Sequence, residues 1–182
     1  HSLKSPYYPK LLFHKVYSQN PITEERLKKR LFVTIEERLD AKPLSDVRNR
    51  FIDEKSVLGL LEKLVIALSL LWKHESKLVH RDIKPANLIM TEDGIKIADF
   101  GIANVEESSM TQMGEVLGTP NYMSPEQVYG QPVDGRSDLF SVGIILYQLI
   151  TGEKPFSGGA AATVMHRVVN AEPEAPTILN QL

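Results

Sequence analysis

The sequence predicts an α+β fold, with strands near its start, one short hairpin in its middle and helices dominating its second half. Three observations carry this. Lys10–Tyr17 and Arg30–Ile35 are short apolar-rich runs on either side of a polar stretch, the mark of paired strands. Residues 53–75 and 137–151 carry apolar side chains at helical spacing. Between them, Leu88-Ile89-Met90-Thr91 and Ile95-Lys96-Ile97-Ala98 flank the turn chemistry of Glu92-Asp93-Gly94.

Taken in order, the first two strands predict a hairpin with a long connection, Ser18 to Arg30. Its cluster Glu24-Glu25-Arg26-Leu27-Lys28-Lys29-Arg30 reads as a solvated turn. In the first long helix, Val57, Leu60, Leu61, Leu64, Val65, Leu68, Leu71 and Trp72 mark a core face. Asp53 is a natural N-cap. The second half of this helix is apolar nearly all round, which predicts burial on every side. The second long helix should stop at Gly152, with Pro155 beyond, and a third should cover residues 160–170.

The chain has 182 residues, enough for one domain with a core, and ordinary hydrophobic and charged fractions. A net charge of −2 argues against a nucleic-acid partner, because phosphate backbones are met by a basic excess. Charges of both signs are interspersed, so no face is built for an anionic membrane. The absence of cysteine excludes disulfides, cysteine nucleophiles and thiolate metal sites in these residues. The longest apolar runs, 64–72 and 142–150, fall well short of the roughly 18–20 residues that span a bilayer.

The chemistry concentrates around the predicted hairpin. Pairing Met90 with Lys96 and Leu88 with Ala98 would set Asn87 opposite Asp99 at its open end, about 5 Å apart. An amide oxygen and a carboxylate side by side are hard donors of the kind Mg²⁺ takes alongside phosphate oxygens and water. Asp82 lies five residues before Asn87, with Lys84 between. One loop therefore offers a carboxylate to orient a hydroxyl, a cation for a phosphate and a metal ligand. These are the parts phosphoryl transfer needs, since that reaction is catalysed mainly by positioning and charge neutralisation. Any one of these residues alone would more often be a turn former; the constellation is what carries the reading.

The run His80-Arg81-Asp82-Ile83-Lys84-Pro85-Ala86-Asn87, followed by Asp99-Phe100-Gly101, resembles the catalytic and metal loops of protein kinases. Gly118-Thr119-Pro120-Asn121-Tyr122-Met123-Ser124-Pro125-Glu126 resembles the end of a kinase activation segment. Asp138-Leu139-Phe140-Ser141-Val142-Gly143 resembles the start of the central helix of the larger lobe. The wording of residues 121–156 is most similar to bacterial serine/threonine kinases of the eukaryotic type. The fold implied is protein-kinase-like, with a mainly helical C-lobe.

The resemblance implies a role for each matching residue. Asp82 would be the catalytic aspartate and Lys84 the lysine on the transferred phosphate. Asn87 and Asp99 would hold Mg²⁺, and Ile89 would floor the adenine of ATP. Ile35 would stand at the gatekeeper position, with Glu36 beginning the hinge. His80, Phe100 and Gly101 would be structural, and Asp138 would hold the catalytic loop by accepting its backbone N–H groups. Glu126 would pair with a later arginine, for which the sequence shows no suitable candidate. Arg81 would read a phosphorylated residue of the activation segment, Thr111 being the best candidate ahead of Ser109 and Ser108. Thr119, before the substrate-docking turn, together with Lys84 implies Ser/Thr specificity. The partners implied are ATP, Mg²⁺, a protein substrate bearing Ser or Thr, and a second copy of the chain for trans-autophosphorylation, with a cytoplasmic setting.

The same resemblance divides the chain into residues 1–36, the tail of the N-lobe, and residues 37–182, a C-lobe ending before its last helices. A family Gly-rich loop, strand lysine and partner glutamate are not among these residues, so the 182 residues alone are expected to be a poor catalyst. Three readings compete: an active Ser/Thr kinase, a pseudokinase or scaffold binding partners through the C-lobe, and a small-molecule kinase of related fold. Intact Asp82, Asn87 and Asp99 favour the first, and the Gly118–Glu126 segment argues against the third.

Overall fold

A computed structural model describes residues 5–19, 26–48, 53–74, 78–92, 94–99 and 120–179. It contains β1 (Leu11–Gln19), β2 (Arg26–Glu36), β3 (Lys42–Pro43), α1 (Leu44–Val47), α2 (Glu54–Trp72), β4 (Leu88–Thr91), β5 (Gly94–Ile97), α3 (Pro125–Val128), α4 (Gly135–Thr151), α5 (Ala161–Asn170) and α6 (Pro176–Leu179). β1 and β2 form an antiparallel pair, and β3-β4-β5 form a separate three-stranded sheet.

β2 begins at Arg26, so the charged run expected to be a turn is strand from Arg26 onward. Strand β1 meets it with Phe13 opposite Ile35 and Tyr17 opposite Leu31, and the register shifts near both ends of the ladder. Pairing with β1 thus extends well into the charged stretch and overrides its turn-like composition.

Helix α2 follows from its sequence at the N-terminus. The Asp53 carboxylate accepts the Ser56 N–H at 2.9 Å, satisfying one of the orphan donors of the first turn. Val57, Leu60, Leu64, Leu68 and Leu71 form the buried stripe, at the spacing that keeps side chains on one face. The expected burial on every side does not occur: Val65, Ile66 and Leu70 are exposed. The helix packs on α4 and β5 along one side, and among the described residues nothing covers Val65, Ile66 and Leu70 on the other. The helix also ends at Trp72, sooner than expected, with Lys73 N–H bonding the Ser69 carbonyl.

Helix α4 is capped by Asp134, whose carboxylate accepts the Arg136 N–H at 2.8 Å, and it stops at Gly152 with φ 77°. Only glycine takes that left-handed conformation without strain, which explains why the chain turns there. α5 buries Val164 and Val168 against Ile144 and Phe156. The Phe156 ring stacks on Phe140 with centroids 6.4 Å apart.

The β4–β5 hairpin departs from the expected register by one residue. Thr91 pairs with Gly94, Met90 with Ile95, Ile89 with Lys96 and Leu88 with Ile97. The turn is two residues long, not three, and Gly94 has φ 134°. A one-residue slip flips the faces of a strand, and the observed register is the one that puts Leu88 and Ile97 together in the core, both fully buried.

The N-terminal segment ties these layers together. The Ile97 N–H donates to the Tyr7 carbonyl at 2.8 Å, and the Tyr8 hydroxyl donates to the Ala67 carbonyl of α2 at 2.5 Å. Burial, with the Asp138 charge adding to it, pushes the Tyr8 phenol well above its ordinary range. Among the described residues no helix is long and apolar enough to cross a membrane.

Candidate active site

The site is built on the loop 80–87, which sits between α2 and β4 and has little regular structure of its own. Lys84 is extended (φ −154°, ψ 159°), as a residue before proline prefers, and Pro85–Asn87 close a single 3₁₀ turn with Asn87 N–H on the Lys84 carbonyl at 2.9 Å. Within this turn the side chains converge on Asp82. Lys84 Nζ lies 2.8 Å from Asp82 Oδ2, and Asn87 Nδ2 donates to both Asp82 Oδ2 and the Asp82 carbonyl at 2.9 Å. The carboxylate is thereby held in one orientation while remaining about half open to solvent.

The loop is braced from α4. Asp138, only 1% exposed, accepts the His80 N–H at 3.0 Å, the Arg81 N–H at 2.9 Å and the Trp72 indole N–H at 3.1 Å. A buried carboxylate requires such donors, and a loop with buried N–H groups requires such an acceptor. The bracing coincides with strain: Arg81 has φ 70°, a conformation L residues rarely adopt. A cost on the order of 1–3 kcal/mol persists only where surrounding contacts over-determine it, and Asp138 supplies two of those contacts at adjacent N–H groups.

His80 is fully buried. Its Nε2 bonds the Ala98 carbonyl at 3.2 Å, and its Nδ1 accepts the Asp82 N–H at 3.4 Å. These partners require the neutral tautomer with the proton on Nε2. Burial lowers its pKa below the ordinary histidine value, against the smaller opposing pull of Asp138, Asp82 and Asp99.

Asp99 is the second residue with positive φ, at 55°, and its side chain is exposed. The observed hairpin register places Asn87 opposite Ala98, whose N–H donates to the Asn87 carbonyl at 2.9 Å, so Asp99 lies one residue past the position expected for it. The left-handed turn at Asp99 lets the chain leave the strand direction there. With the Asn87 amide nitrogen committed to Asp82, its side-chain oxygen is the atom left for a ligand. That oxygen and the exposed Asp99 carboxylate are a donor pair suited to Mg²⁺, which takes few protein ligands.

Ile89 is half-buried, paired with Lys96 on one side and Pro43 on the other. Ile35 lies in β2 opposite Phe13. Glu36 is half-buried; burial first, then the Asp99 charge, raise its pKa above the usual carboxylate value. The next residue, Glu37, is paired with Lys96 of β5, and its pKa is lowered chiefly by that hydrogen bond. Phe100, Gly101, Ser108, Ser109, Thr111 and Thr119 lie outside the described residues.

Downstream, Glu126 finds a partner that sequence reasoning missed. Among the described residues its hydrogen-bond partner is a serine rather than an arginine: the Ser137 hydroxyl donates to its carboxylate. Burial acts to raise the Glu126 pKa, but the hydrogen bonds from Ser137 and its own backbone outweigh it and leave the group below its usual value. Gln127 and Trp72 were also missed. Gln127 donates to the Arg81 carbonyl at 2.7 Å, and Trp72 reaches Asp138. A signal existed for each: Ser124-x-x-Gln127 is a capping-box pattern, and a lone tryptophan at the end of a core helix needs an acceptor for its N–H.

The sequence matches the protein kinase domain model over residues 14–180. The chain belongs to the protein kinase domain family. The kinase domain is similar to a probable serine/threonine-protein kinase of Streptomyces coelicolor, 45% identical over 127 residues, which are 68% of this chain and 18% of that protein. It is 43% identical over 110 residues to the serine/threonine-protein kinase PknL of Mycobacterium tuberculosis, covering 59% of this chain and 28% of PknL. A probable serine/threonine-protein kinase of Clostridium perfringens is 36% identical over 151 residues, 80% of this chain and 22% of that protein. The aligned part of this kinase domain thus spans between a sixth and three tenths of these curated relatives.

Proposed function

We propose that the protein transfers the γ-phosphoryl group of ATP to serine and threonine hydroxyls of protein substrates. The observation that carries this is the Asp82 carboxylate, half-open yet held by Lys84 and Asn87 on a loop braced from α4. A carboxylate so placed orients the incoming hydroxyl and accepts its proton as the oxygen attacks. Lys84, 2.8 Å from Asp82, would meet the transferred phosphoryl oxygens. Asn87 and Asp99 would hold Mg²⁺, which supplies neutralisation of phosphate charge when bound. Ile89, Ile35 and Glu36 would line the nucleotide site, and Glu36 would keep its place through the adjoining Glu37–Lys96 pair.

We assign the β1–β2 pair, through Glu36, to the smaller lobe that covers ATP, and residues from 37 onward to the larger lobe. Thr119 would help dock the substrate. Thr111 is the proposed phosphosite and Arg81 its reader, with a second copy of the protein as the phosphorylating partner. The reaction is placed in the cytoplasm, where ATP is available.

The test is phosphate transfer from labelled MgATP to a generic protein substrate, by the full-length protein. The expected result is label on serine and threonine, reduced on the order of 10²–10⁴-fold by Asp82→Asn. Label of equal intensity in the Asp82→Asn protein would overturn the proposal.

A further inference from the structure

Arg81 is strained, and both of its backbone polar groups are held by side chains from elsewhere in the fold. Its N–H is taken by Asp138 Oδ1 of α4 at 2.9 Å, and its carbonyl by Gln127 Nε2 of α3 at 2.7 Å. The Arg81 carbonyl belongs to the peptide unit whose nitrogen is that of Asp82. Whatever fixes this carbonyl therefore fixes the plane of the peptide that carries the Asp82 side chain.

Gln127 is itself fixed at its other end. Its Oε1 accepts the Ser124 N–H at 3.0 Å, and its own N–H meets Ser124 Oγ at 3.4 Å, closing a capping box at the start of α3. The amide is thus divided: its oxygen serves α3, and its nitrogen serves the loop 80–87. The neighbouring Glu126 is tied to Ser137, next to Asp138. The segment that opens α3 is joined to the catalytic loop by Gln127 and to the root of α4 by Glu126.

We infer that Gln127 is a positioning residue for Asp82: its side-chain amide couples the Pro120–Val128 segment to the strained Arg81 peptide and holds the aspartate in its working orientation. The inference rests on the kinase reading for its effect on turnover, though not for the bridge itself. A displacement of the segment would reach Asp82 through one hydrogen bond. Loss of that bond would free the Arg81–Asp82 peptide to relax toward an unstrained conformation.

The dual role of the amide makes a clean test available. Gln127→Glu keeps an oxygen for the capping box, since glutamate serves that position equally, and replaces the N–H donor with a carboxylate oxygen that cannot bond the Arg81 carbonyl and brings a negative charge beside it. Ser124→Ala does the reverse, loosening the cap while leaving the donor. Amide hydrogen exchange and the ¹⁵N shift of Asp82, measured at pH 7.5 on the full-length protein, report the bridge without any need for activity. Gln127→Glu is expected to shift the Asp82 ¹⁵N resonance and speed exchange in residues 81–83 by about tenfold, with α2 unaffected. Ser124→Ala is expected to leave those loop amides as they are. In phosphate transfer, Gln127→Glu should lower kcat about tenfold with the KM for ATP unchanged.

Loop amides and kcat in Gln127→Glu equal to the parent's would overturn the inference, as would exchange that rises uniformly throughout the protein. A parent protein with no Asp82-dependent phosphate transfer would instead remove the kinase reading. The Asp82 ¹⁵N shift and loop exchange would then decide the bridge alone.

Discussion

Helix α2 and the loop that follows it are built on opposite principles. The helix makes its backbone hydrogen bonds largely within itself and meets the rest of the protein chiefly through its buried stripe of Leu60, Leu64, Leu68 and Leu71, with Tyr8 and Asp138 bonding it at Ala67 and Trp72. The loop 80–87 ties its own side chains together at Asp82, but it borrows the partners of its His80 and Arg81 backbone groups from Asp138 and Gln127, far along the chain. A packed helix loses stability gradually, as methylene groups are removed from a shared core. A loop held by single polar contacts loses its geometry contact by contact, and the protein can remain folded as it does so. The proposed chemistry lies on the second kind of structure, where outside groups hold a strained peptide such as Arg81's.

The largest expected effect falls on the joint between the two. Asp138→Ala removes the acceptor of the His80, Arg81 and Trp72 N–H groups and should destabilise the fold by roughly 3–5 kcal/mol, read from chemical denaturation. Leu64→Ala, at a fully buried site of α2, should cost a similar or slightly smaller amount, about 2–5 kcal/mol. Among molecules that stay folded, however, it should leave phosphate transfer per mole unchanged. Equal catalytic damage from both substitutions would erase the distinction between helix and loop.

A smaller effect tests the contact between them. A Cβ on Gly135 would lie 2.9 Å from three atoms of the Trp72 ring. Gly135→Ala should therefore push the indole away from Asp138 and cost about 1–3 kcal/mol by overpacking, with a visible change in tryptophan fluorescence. An unchanged emission spectrum would show that Trp72 is not held as described.

The smallest effect is a pH dependence. His80 is buried and neutral, with its pKa lowered by burial. Its stabilisation is fully present above the unfolded histidine value of about 6.5. It is lost as pH falls, because the unfolded state takes up a proton that the folded state refuses. The slope approaches at most about 1.4 kcal/mol per pH unit, and His80→Gln should flatten it. Glu36 acts in the other direction at lower pH: its raised pKa makes its contribution favourable below the unfolded carboxylate value and lost as pH rises through the folded one. Thermal midpoints between pH 7.5 and 4 should therefore show the histidine slope first and a partial offset below it.

The same contrast explains what could be read from the sequence. Helical periodicity and caps place α2, α4 and α5 to within a few residues, because those signals are local: Asp53 and Gly152 act on their own turns. The converging residues Asp82, Lys84 and Asn87 were also legible, since one short loop contains them all. The hairpin register slipped by one because it depends on whether the turn uses two residues or three, and the core burial of Leu88 and Ile97 decides that only in three dimensions. The α2 face carrying Val65, Ile66 and Leu70 was read as core because apolar character alone does not tell which side meets a neighbour. Ser137 escaped because a serine acquires a role from a partner that folding brings to it, and the capping-box pattern of Gln127 does not show the Arg81 carbonyl that folding brings to its amide.

The most direct test of the claim that the loop takes its geometry from α4 is residue-resolved amide hydrogen exchange in the Asp138→Asn protein. An amide in place of the carboxylate turns a donor toward one of the N–H groups that Asp138 now accepts. The account predicts that exchange at whichever of His80 and Arg81 loses its acceptor speeds by about tenfold or more, while Leu64 and Leu68 within α2 keep their protection. Unchanged exchange at His80 and Arg81, or equal acceleration in the loop and in α2, would contradict it.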